Sequence, residues 1–101
     1  MFLIEILLPL YDNEGHSFGQ ALFDEVRDEL AGHFGGVTAF RRSPAEGVWR
    51  EGDETNHDEV VIYEVMTGEL DRAWWGHYRQ DLEDRFRQDQ IVIRASQFET
   101  L

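Results

Sequence analysis

The chain has 101 residues, the length of one small domain, with 42% hydrophobic and 13% aromatic residues, too apolar for a disordered segment. Its 9 basic residues are all arginine and stand against 21 acids, for a net charge of −12, and lysine and cysteine are both absent. That composition excludes Schiff-base lysines, Walker-type phosphate loops, thiol nucleophiles, thiolate metal sites and disulfide scaffolds, and it disfavours nucleic-acid and anionic-lipid partners.

Phe2 to Tyr11 reads as a strand. Phe2, Ile4, Ile6, Leu8 and Leu10 form one wholly apolar face, while Leu3, Glu5, Leu7, Pro9 and Tyr11 form a mixed one. Pro9 has no N–H to give a ladder, so pairing should loosen at that end. The segment has no basic n-region, is interrupted by Glu5 and is far short of a membrane span, so no leader or membrane anchor is expected and the expected location is cytoplasmic. A loop follows at 12–15, and Ser17 with Gln20 has capping-box spacing, which predicts a helix start there. Leu22, Phe23, Val26, Leu30 and Phe34 recur at helical spacing, Asp24, Glu25, Asp28 and Glu29 fill a solvated face, and Gly35-Gly36 ends the helix.

Val37 to Arg42 predicts a second strand, broken at 43–47 and resumed at Val48–Glu51. After a polar turn, His57 to Met66 predicts a third strand. Asp71 to Arg87 predicts a second helix with Trp75, Tyr78, Leu82 and Phe86 as its stripe and Trp74 beside it. Arg79–Glu83, Asp81–Arg85 and Glu83–Arg87 are four apart and suit a solvated face. Gln90 to Phe98 predicts the last strand. The order β-α-β-β-α-β over residues 1–101 is that of a single α+β, ferredoxin-like domain: a four-stranded antiparallel sheet with both helices on one face.

Two helices leave the other sheet face uncovered. By period that face should carry Leu3, Leu7 and Tyr11, then Val60, Ile62, Glu64 and Met66, then Val92, Arg94, Ser96 and Phe98. The parity of the third strand is the uncertain part, because both its faces are apolar. An apolar face of this size needs a cover, and a second copy of the chain is the economical one, so a homodimer through the open sheet face is expected. In this topology Glu5 would neighbour both Arg94 and Glu64. An ion-pair network that fixes register is the favoured reading of these charges, against a polar floor to a cleft.

The pattern resembles the dimeric α/β-barrel superfamily of ferredoxin-like proteins, which includes cofactor-independent monooxygenases and dye-decolourising and haem-degrading relatives. Phe34-Gly-Gly-Val-Thr38, Gly47-Val-Trp-Arg50 and Phe86-Arg-Gln-Asp-Gln-Ile-Val-Ile-Arg94 are similar to marks of a small bacterial family of unknown function. The resemblance implies sheet-face dimerisation and, at most, a cofactor-free oxygenase whose substrate supplies the electrons. No histidine here matches a haem-ligating motif, and no cofactor is expected. Asp12, after Tyr11, is similar in place to the Mg²⁺-holding aspartate of small CRISPR-adaptation nucleases. A net charge of −12 argues against a polynucleotide partner.

His16, near Asp12 and Glu14, lies in a loop where function concentrates, although a solvated loop histidine is the favoured reading over a general base. His33, in the last turn of its helix, is read as structural. His77 and Asp81 share a helix face but are too few for a metal site. The acids at 51–59 around His57 lack calcium-loop spacing and read as a solvated hairpin that deters edge pairing, so no metal is expected. Trp49 beside Arg50 suits a planar or anionic small molecule or, equally, a dimer interface. Two functional classes follow. One is a small-molecule cleft at the open sheet face or dimer interface, lined by Tyr11, His16, Trp49, Glu64 and Arg94. The other is a non-catalytic dimeric interaction module.

Overall fold

The alternation in the first ten residues decides where the core lies. The computed structural model describes residues 1–42 and 59–101, with 40–42 described as backbone only. The expected strand at 48–51, Trp49, His57 and most of the acidic hairpin fall outside those residues. The elements are β1 (Phe2–Pro9), α1 (Gln20–Phe34), β2 (Thr38–Arg42), β3 (Val60–Thr67), α2 (Arg72–Arg85) and β4 (Val92–Gln97). They form a four-stranded sheet in the order β2-β3-β1-β4, and every neighbouring pair is antiparallel. The fold is therefore α+β, with an order compatible with the ferredoxin-like arrangement.

Ile4, Ile6 and Leu8 are 0% exposed and sit opposite Val65, Tyr63 and Val61 of β3, which are buried with them. Phe23, Val26 and Leu30 of α1 and Trp75, Tyr78 and Leu82 of α2 close over this face, joined by Phe86 and Ile91. Each fully buried aliphatic or aromatic side chain of this kind contributes about 1.5–3 kcal/mol against the entropy of ordering the chain. Ile62 is buried as well but stands apart from that core, because the register turns it to the opposite face beside Leu7. The parity of β3 is thereby settled in the expected sense.

The start of α1 differs from the capping-box reading. Its N-cap is Gly19, with no side-chain cap, and Ser17 instead bridges Tyr11 in an isolated antiparallel pair. The loop closes on itself like a short ladder, with the Phe18 N–H donating to the Leu10 carbonyl at 3.0 Å. Extended pairing at 17–18 therefore delays the helix. Its end is as expected: Gly35 takes φ 81°, a left-handed conformation that glycine adopts freely, and its N–H reaches the Ala31 carbonyl at 2.8 Å. Helix α2 begins on a true cap, the Asp71 carboxylate accepting from the Trp74 N–H at 3.1 Å.

The second helix ends before Arg87, which has φ 50°, so the expected Glu83–Arg87 pair does not form. Arg87 lies instead 3.6 Å from Asp12, and Glu83 holds Arg79 and accepts from the Ile91 N–H at 2.9 Å, fastening the turn into β4. Arg79–Glu83 and Asp81–Arg85 do form. Arg85 also crosses to α1, donating to Glu25 at 3.0 Å and Glu29 at 2.8 Å, while the Tyr78 hydroxyl donates to Glu29 at 2.9 Å. This polar seam ties the two helices along the rim of the core. Beside it, His33 stacks on Trp74 at 4.3 Å, which accounts for that histidine structurally.

Candidate functional site

The two faces of the sheet hold the candidate residues apart. On the helix side, α1 leans over β3 and leaves a cleft of about 430 Å³ toward β2. Its floor is Leu10 at the end of β1, Phe23 of α1, and Val61 and Tyr63 of β3, with Ala39 of β2 at the far wall. Its rim is polar: Tyr11 and Ser17 from the loop, and Gln20, Asp24 and Arg27 from successive turns of α1. The spacing of these last three follows from the helical period, which lines up residues three and four apart.

The rim is an ordered network. Gln20 donates to Asp24 at 3.0 Å, and Arg27 lies 3.2 Å from both Asp24 and Asp28. Tyr63 reaches across the cleft floor to donate its hydroxyl to the Phe23 carbonyl at 2.9 Å. Burial pushes the Tyr63 phenol up, with a smaller push from Asp24, so it stays a protonated donor at neutral pH. Hydrogen bonding to Asp28, and attraction to Asp24 and Asp28, hold Arg27 firmly cationic. An apolar floor with a few fixed polar groups is the usual composition of a small-molecule site.

Tyr11 is in this cleft, and His16 lies just outside it in the same loop, its side chain 75% exposed. Asp12 organises that loop: one carboxylate oxygen accepts from the Glu14 N–H at 2.8 Å and the His16 N–H at 2.9 Å. Those backbone bonds, the one from His16 foremost, hold the Asp12 carboxyl below its ordinary value, with His16 and Arg87 adding attraction. Asp12 is thus employed as a turn-former, its second oxygen facing His16 and Arg87. Among the described residues no group of three or more His, Asp or Glu could hold a metal ion.

Glu64 and Arg94 lie on the other face. The register places Glu5 directly between them, and Arg94 donates its Nε to Glu5 at 3.0 Å. The Glu64 side chain makes no hydrogen bond or ion pair among the described residues. Next to this charged row runs an apolar one, Leu7 between Ile62 and Val92. Met66 is 60% exposed and Val92 46%. Of the five residues singled out from sequence, four therefore fall into two groups, and Trp49 lies outside the described residues.

Gln20, Asp24, Arg27 and Tyr63 were not singled out from sequence. Their signal is a polar stripe at i, i+4, i+7 on α1 that flanks the apolar one, but a solvated helix face has the same pattern. Comparison with protein-family models, with curated proteins and with solved structures finds no match to this chain. No helix among the described residues is long and apolar enough to cross a membrane.

Proposed function

We propose that this chain binds a small molecule in the cleft between α1 and the sheet, and that it does so as a homodimer closed through the open sheet face. The observation that carries the binding reading is the coexistence of an apolar floor with an ordered polar rim around about 430 Å³ of space. The fitting ligand is a compact, largely apolar molecule with one or two hydrogen-bonding groups, read by Gln20, Asp24 and Arg27. Tyr63 is a donor held in place rather than a base, so the reading is one of binding. An oxygenase of the cofactor-free kind would add chemistry carried by the substrate itself.

The homodimer rests on the second face. Leu7, Val92 and Met66, beside the already buried Ile62, make an apolar surface with polar edges, which a twofold partner would cover with the same surface. Glu64 opposes Glu5 on the neighbouring strand, and like charges in that relation repel. An arginine of a second copy, Arg94 foremost because only its Nε is engaged, would relieve them. A family tie to the dimeric α/β barrels would give the same assembly.

A fragment library screened by thermal shift, followed by amide NMR, tests the cleft. Hits should move the Phe23, Val61 and Tyr63 signals and should be lost on Ala39→Trp, which fills the far wall. No hit at those residues, or hits indifferent to Ala39→Trp, would remove the binding reading. Sedimentation showing a monomer at tens of micromolar would remove the dimer.

A further inference from the structure

A second depression lies at the other end of the sheet, between α2 and the outer strand β4, with a volume of about 200 Å³. Its floor is apolar: Ile4 of β1, Ile93 of β4, Leu70 and the Trp75 ring. Arg72 and Arg79 line it from α2, one helical face apart by two turns. Arg94 borders it as well, but β4 sends that side chain to the opposite face, where it holds Glu5, so the cations that matter are the two on α2.

Arg72 is unusual among the described arginines. With 21 acids against 9 bases, carboxylate partners are abundant. Arg27, Arg79, Arg85, Arg87 and Arg94 each have one. Arg72 has none among the described residues. Arg79 engages Glu83 through Nη1 alone, and its other donors have no acceptor among the described residues. A chain that repels anions at long range thus keeps a free guanidinium and a half-free one over an apolar floor.

Gly76 supplies the second observation. It stands mid-way along α2, where glycine is a poorer helix former than alanine, and it lines the same depression. A Cβ added there would meet nothing within 4 Å, and its φ is not left-handed, so neither backbone conformation nor packing calls for glycine. Its effect is to leave the space beside Trp75 open.

From this we infer that the α2–β4 groove is a second binding site, for a carboxylate carried on a compact apolar body. The carboxylate would meet Arg72 and the free donors of Arg79, and the body would lie on Leu70, Ile93 and the edge of Trp75 in the room left by Gly76. About 200 Å³ suits a single ring or a short alkyl chain. This site is independent of the α1 cleft and stands or falls without it.

Phenylacetate is the probe, with phenethyl alcohol as the same body lacking the charge. Titration followed by amide NMR should move Gly76, Ile93 and Ala95 and leave Phe23 and Val61 still, with a Kd of roughly 0.1–1 mM for a ligand of this size. The alcohol should bind at least tenfold more weakly, and Arg72→Ala should weaken phenylacetate by a similar factor. Gly76→Leu should abolish binding while leaving the melting temperature unchanged or raised by a few degrees. Gly32→Leu, at an equally open position on α1, should leave binding intact. No perturbation of the groove amides by phenylacetate, equal binding of the alcohol, or binding retained in Gly76→Leu would each overturn the assignment.

Discussion

The two faces of one sheet follow opposite rules in this protein. On the helix side Ile4, Ile6 and Leu8 are wholly buried, and the tyrosine hydroxyls that reach the core have partners. On the other side the intervening residues of the same strand alternate apolar and charged, Leu3, Glu5 and Leu7, and remain partly exposed. Among the described residues one face is fully packed, whereas the other stays half-exposed along β1 and at Val92 and Met66, with Ile62 alone buried in that apolar row. A face that is apolar in one row and charged in the next is poorly suited to water and well suited to a surface like itself.

The largest effect should come from neighbours on β1. Ile6→Ala empties a fully buried site and should cost about 2–5 kcal/mol in urea unfolding, whereas Leu7→Ala should cost well under half of that. Equal losses would mean that both faces are cores. Next, Val92→Arg puts a charge into the open apolar row. It should abolish the proposed dimer in sedimentation while changing the unfolding free energy of the monomer by no more than about 0.5 kcal/mol.

A pH experiment isolates the helix face. Burial above all, then the bond to Glu29, pushes the Tyr78 phenol up, and burial pushes Tyr63 up too. Both keep their protons more firmly when folded, so their contribution is fully present below the unfolded value of about 10 and is lost as pH rises beyond it. Stability should therefore fall above about pH 10. Tyr78→Phe should lose ~1 kcal/mol at neutral pH, the worth of the bond to Glu29, and should make that alkaline fall shallower. A fall of unchanged steepness would assign it to other groups.

The smallest effect belongs to the charged row. The Arg94–Glu5 pair has side-chain exposures of 51% and 19%, so Arg94→Gln should cost the monomer less than about 1 kcal/mol. Glu64→Gln removes a like-charge neighbour and should leave the monomer equal or slightly more stable. If a second copy supplies the partner of Glu64, the same substitution should weaken the dimer, read as a rise in its dissociation constant.

The sequence located all six described elements within a few residues, because β1 and the two helices have their burial written into a period of two or of about four, and the other strands are marked by β-branched and aromatic residues between turns. It also gave the placement of Glu5 between Glu64 and Arg94, since strand order and parity suffice for that. Ser17 shows where such reading fails. Its capping spacing is genuine, but a bridge to Tyr11 competes for the same residues and wins. Arg87 fails likewise, because its neighbours four residues away matter only while the helix continues. The cleft was half legible: Tyr11 marked one end, but Gln20, Asp24 and Arg27 look like any solvated helix face until the sheet is laid beneath them. Gly76 gave no signal at all, since an open space is visible only in three dimensions.

The position of β1 has a consequence for how the molecule comes into being. The strand nearest the start of the chain is an inner strand, and its two neighbours begin at Val60 and Val92. During synthesis its hydrogen-bonding edges must wait, one for more than half of the sequence and the other for nearly all of it. Contacts this distant along the chain slow folding and make it a late, collective event. Until residues 92–97 have emerged, this strongly hydrophobic strand has an unpaired side, and a ribosome paused before that point would hold a segment in want of any other strand.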